Sequence, residues 1–133
     1  MDVEAIENIS QQYIDFLATL NNKIKEKKEN EKEWIDWVTA HGGEFDPNYD
    51  ACGVAIFQCA DHKVRVQKTY KEMDFFIDQF EIRINHNYQV YIQKAPSTTV
   101  HSYEELENEL MNVTKFLKKA KEINNLLSIE GDF

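Results

Sequence analysis

Residues 53–93 read GVAIFQCADHKVRVQKTYKEMDFFIDQFEIRINHNYQVYIQ. Residues 53–60 form a short apolar run, and a hairpin-like Asp61-His62 leads into 63–70, where Val64, Val66 and Tyr70 alternate with Arg65, Gln67 and Thr69. Alternation of this kind marks a strand with one dry and one wet face, because successive side chains of an extended chain point to opposite sides. Residues 75–85 continue the pattern, with Phe80, Ile82 and Ile84 against Gln79, Glu81 and Arg83, and Asn85-His86-Asn87 turns the chain into Tyr88, Val90 and Ile92. Four antiparallel strands in a meander, within 53–94, account for the block. Its polar face carries Arg65, Gln67, Gln79, Arg83, Gln89, Tyr91 and Gln93, and an exposed edge strand could add a partner strand.

Helical periodicity flanks the sheet on both sides. From residue 2 to about 40, Val3, Ile6, Tyr13, Leu17, Leu20 and Ile24 recur at three- and four-residue steps, with Ile9, Ile14 and Phe16 widening the stripe. The run KIKEKKENEKE at 23–33 is almost all charged, yet its Lys and Glu residues stand at spacings that pair on a solvated helix. Trp34, Ile35, Trp37 and Val38 then fall in phase with the first stripe (20, 24, 27, 31, 34, 38), so one helix of about 38 residues or two helices broken near Asn30 both fit. Gly42-Gly43 provides the end of the helix, and EFDPNYD at 44–50 reads as a loop.

Beyond Pro96 and Ser97-Thr98-Thr99, Ser102 stands three residues before Glu105, the spacing of a capping box. Tyr103, Leu106, Leu110, Val113, Leu117, Ala120 and Leu127 then repeat at helical steps, predicting a helix over 102–128 followed by a frayed tail. Glutamates crowd its first turns and lysines its last, which complements the helix dipole. The expected fold is a single α+β domain over 1–133: a two-layer sandwich of order α-β-β-β-β-α, both helices packed on the apolar face of the sheet. A long first helix also leaves Trp34 and Trp37 needing cover, from the core or as dimer contacts with a second subunit.

Composition narrows the function. The chain has 133 residues, 42% of them hydrophobic, enough for one ordinary core, and 24 Asp and Glu against 15 Lys and Arg give a formal charge of −9. Such a balance argues against gripping nucleic acid by phosphate neutralisation. No apolar run reaches the roughly 18–20 residues of a membrane span, and Met1 leads into Asp-Val-Glu rather than a basic, then apolar, leader. The expected setting is the cytoplasm, or a host's cytoplasm, with no membrane partner.

Catalytic and metal signals are weak. Cys52 and Cys59, if on one strand, lie roughly 23 Å apart at about 3.3 Å per residue, too far to bridge. Cys59 and His62 form a single C-x-x-H pair where a structural zinc site needs paired knuckles at both ends. Asp46, Asn48 and Asp50 echo the start of a calcium loop, but the later Gly and Glu are missing. The four glycines form no phosphate loop, and no Gly-x-Ser-x-Gly is present. No enzyme activity, metal or cofactor is therefore expected; a small enzyme using histidines and carboxylates gathered at loop ends is the weakest alternative.

Charge distribution remains. Residues 1–22 and 42–61 each carry four acids and no Lys or Arg, and 71–109 carry eight acids against three such bases. Merged, these blocks would form a negative surface able to occupy a basic groove, each carboxylate standing where a phosphate would. The expected function is a non-catalytic acidic protein-binding module, an intracellular inhibitor, immunity-type protein or adaptor that occludes a partner's functional surface. A phage-type inhibitor of a host nucleic-acid enzyme is one concrete form, with the module acting as a nucleic-acid mimic. The candidate partner-binding residues are Glu44, Asp46, Asp50, Asp74, Asp78, Glu81, Tyr91, Glu104, Glu105, Glu107 and Glu109. The alternative is a homodimeric structural or assembly subunit that uses the long N-terminal helix, motivated by its heptad-like spacing and the two tryptophans.

Overall fold

A computed structural model describes residues 3–49, 53–69 and 73–131. Its order is helix α1 (Val3–Ala40), strands β1 (Glu44–Phe45), β2 (Val54–Cys59), β3 (His62–Lys68), β4 (Phe75–Ile84) and β5 (Val90–Val100), and helix α2 (Tyr103–Gly131). The strands form one antiparallel sheet in the order β1-β2-β3-β4-β5. Two compact units divide the chain, residues 1–37 and 38–133. The α+β fold expected from the pattern is present, with five strands instead of four.

The described part of the first unit is all α1, which is continuous and unbroken at Asn30, and the last residues of that helix, 38–40, belong to the second unit. Its charged middle stays helical because Lys and Glu at three- and four-residue spacing favour a solvated helix. The C-terminal end of α1 is a Schellman motif. Gly42 adopts φ +74°, its N–H donates to the Thr39 carbonyl (3.2 Å), and the Gly43 N–H donates to the Val38 carbonyl (2.8 Å). Only a residue without Cβ takes up that φ without strain.

In the second unit, α2 packs against β2, β4 and β5. The buried side chains are Val54, Ala55, Phe57 and Cys59 of β2, Val64 and Val66 of β3, Phe75 and Ile77 of β4, Val100 of β5, and Leu106, Leu110, Val113, Leu117 and Ala120 of α2, together with Val38. The α2 positions are the predicted stripe. Its N-terminus also matches expectation in part: the Ser102 Oγ accepts from the Glu105 N–H (3.1 Å), but the Glu105 carboxylate reaches one residue further back, to the His101 N–H (2.7 Å). Helical backbone continues to Gly131, so the tail expected at 129–133 is ordered as helix for its first three residues; Asp132 and Phe133 lie outside the described residues.

Three strand boundaries differ from the sequence reading, each for a local reason. Phe45 and Glu44 pair with Ala55 and Ile56, making a two-residue edge strand out of the start of the expected loop. The β2–β3 turn is Ala60-Asp61, one residue earlier than Asp61-His62, because Cys59 pairs with His62 and Ala60 takes φ +53°. β5 runs through Pro96-Ser97-Thr98-Thr99 rather than ending before it. Ile77 pairs with Thr98 and Gln79 with Ala95, so β5 carries one extra residue opposite Asp78. Pro96 sits in that bulge of an edge strand, where a missing N–H costs no ladder bond.

Candidate interaction surface

Along α1 every side chain from Val3 to Asn30 is solvent-exposed, the apolar ones included. Val3, Ile6, Tyr13, Leu17, Leu20 and Ile24 recur at helical steps, and Ile9, Ile14 and Phe16 flank them; their exposure runs from 37% at Leu17 to 68% at Val3. Amphipathic helices in folded proteins usually bury their apolar face, and exposed apolar stripes of this kind occur where proteins meet other proteins, ligands or membranes. Further along the same helix, Trp34 is 2% exposed in the single chain and Trp37 half-buried, their rings stacked with centroids 6.1 Å apart and planes 9° apart. Of the two candidate dimer contacts, Trp37 is the more accessible.

The candidate acidic residues do not gather into one unopposed patch. Asp74 Oδ1 lies 2.6 Å from His101 Nδ1. Asp78 Oδ2 accepts from the Arg65 N–H (3.1 Å) and lies 3.5 Å from Lys94 Nζ. Glu81 bonds Arg83 Nε at 2.9 Å, and Glu107 lies 3.9 Å from His41 Nε2. Glu109 accepts from Gln79 Nε2 at 2.8 Å, and Glu105 is taken up by the α2 cap. Asp46 lies 3.8 Å from Arg65 Nη2, and its side chain also accepts from the Asn48 N–H. Glu44 and Glu104 are exposed, and Asp50 lies outside the described residues. Seven of these carboxylates thus spend part of their field on partners inside the molecule, which weakens the potential they offer to a basic partner.

The wet face of the sheet is likewise partly engaged. Gln79, expected on that face, bonds α2 instead, and β4 loses its alternation after Ile77, with Asp78 to Ile82 all half-buried where the register shifts. Arg65 stacks over the Tyr49 ring (5.0 Å to the centroid), and a hydrogen bond with Tyr49 holds its guanidinium above its ordinary value. Tyr91 is exposed and borders a cleft of about 330 Å³ with Asp61, His62, Leu117 and Lys121. There Lys121 Nζ lies 2.6 Å from Asp61, and this hydrogen bond holds the Asp61 carboxyl below the usual range.

A second cleft, of about 370 Å³, brings together His41, Cys59, Glu107 and Thr114. These are residue types a thiol hydrolase uses, and their meeting was invisible along the sequence, where His41 and Glu107 lie far from Cys59. Burial pushes the Cys59 thiol up, partly offset by a hydrogen bond with Thr114, and apolar surroundings disfavour the thiolate that a nucleophilic cysteine uses. Cys59 is a free, buried thiol; Cys52 lies outside the described residues. Among the described residues no three metal-capable side chains converge, and no helix is long and apolar enough to cross a membrane. No family model, curated protein or solved structure matches the chain.

Proposed function

We propose that this protein is a non-catalytic protein-binding module, of the adaptor or assembly kind, that docks through the apolar face of α1. The observation that carries the reading is the row of exposed apolar side chains from Val3 to Ile24 on one continuous helix. An amphipathic helix laid along a partner recovers the hydrophobic stabilisation that the stripe forgoes in water, about 25 cal/mol for each Å² of apolar area covered. The carboxylates that would serve occlusion of a basic groove are largely engaged with Arg, Lys, His and amide side chains inside the molecule, which favours the helix over the acidic surface as the interface.

The test compares two double variants by affinity capture at low and high salt. Leu17→Glu with Leu20→Glu places charge on the stripe at two solvent-exposed positions, and Glu104→Lys with Glu107→Lys reverses charge on α2. The reading expects the first to lose captured partners at least tenfold and the second to keep them within about twofold. Loss confined to the second variant, with release by salt, would instead support occlusion of a basic surface by the acidic residues.

A further inference from the structure

We infer that the occupant of the α1 stripe is a second copy of the same helix, paired antiparallel over residues 3–27; this rests on the reading of α1 as a docking helix. Written as heptads with Val3 at position a, the stripe places Leu17 and Ile24 at a and Ile6, Tyr13 and Leu20 at d, the seam by which helices pair side by side. Ser10 and Lys27 are the polar members of this stretch of the seam.

Charge decides the direction. Residues 2–7, DVEAIE, hold three acids and no base, while residues 23–28, KIKEKK, hold four lysines and one glutamate. A parallel, in-register pair would set acids beside acids at one end and lysines beside lysines at the other, and like charges across a seam are destabilising. An antiparallel pair with Ile6 opposite Ile24 of the second copy, and Tyr13 opposite Leu17, lays each acidic end beside a lysine-rich one. The same register brings Phe16 beside Phe16 and Ile14 beside Ile14 at the two-fold axis, so the flanking apolar residues that widen the stripe are covered too. Val3 falls opposite Lys27, whose aliphatic stem can cover it while its ammonium stays wet. The overlap of 25 residues, from 3 to 27, is about 37 Å long at 1.5 Å per residue. It ends before Trp34 and Val38, which are already buried in the single chain.

The experiment is sedimentation of the full chain across the micromolar range, with disulfide mapping. The expected mass rises with concentration toward twice 15.7 kDa, and Leu17→Glu with Leu20→Glu holds it at the monomer value. In a Cys52→Ser background, a mixture of Ile6→Cys and Ile24→Cys chains should cross-link to each other on mild oxidation, with little cross-linking of either chain alone. Strong 6–6 and 24–24 cross-links would mean a parallel pair and overturn the inference, as would a monomer at every concentration. A monomer whose stripe still binds an apolar fluorescent dye, lost in the double-Glu variant, would overturn self-pairing while keeping α1 as a docking face. A monomer without such binding would remove both.

Discussion

At Gly43 an added Cβ would stand 2.6 Å from Phe57 Cε1 and 2.7 Å from Val38 Cγ1, both on buried side chains. Gly43→Ala therefore forces two packed residues to shift, and the expected cost is about 1–3 kcal/mol, read as a fall in the denaturant midpoint. Gly42 and Gly43 were legible as a helix end, but only the fold shows that the second of them is required by close approach instead of by φ. Burial holds the Cys59 thiol above its ordinary value. Its raised pKa means that stability is complete below the unfolded thiol's value of about 8.5 and declines as pH rises through that value toward the folded one, because the unfolded chain then gives up a proton the folded chain retains. In a Cys52→Ser background, a thiol reagent at pH 8 should react with Cys59 only on the timescale of unfolding. Rapid stoichiometric labelling of the folded protein would show a thiol open to chemistry.

Among the elements, α2 was the most legible, since a strong cap and an uninterrupted stripe agree on where it starts and which face it buries. Ser102→Ala removes an acceptor from the Glu105 N–H and is expected to cost about 0.5–2 kcal/mol, measured by thermal or denaturant unfolding. A change below about 0.2 kcal/mol would mean that the Glu105 to His101 bond holds the helix start alone. The strand edges were less legible for physical reasons. Ala60 is not a turn former, so nothing marked the hairpin one residue early; Pro96 reads as a strand stop, yet an edge strand with a bulge tolerates it. Glu44-Phe45 is too short to show any period. The continuity of α1 could not be decided from a charged run that fits a helix and a break equally well.

Across the whole molecule, periodicity located the α1 stripe without saying whether it was covered. Periodicity reports which residues share a face, whereas exposure depends on what the rest of the chain brings to it. Part of the acidic blocks shows the converse: along the sequence they look unopposed, and folding sets His41, Arg65, Lys94 and His101 beside Glu107, Asp46, Asp78 and Asp74. On the proposed reading the docking face is the apolar stripe of α1, so salt is expected to modulate an interaction there more than it governs it. The most direct measurement is amide hydrogen exchange on the full chain at dilute and at high concentration. The account predicts that protection within residues 3–27 rises with concentration while the β2 and β3 amides stay unchanged. Exchange in 3–27 that is fast and independent of concentration would contradict it.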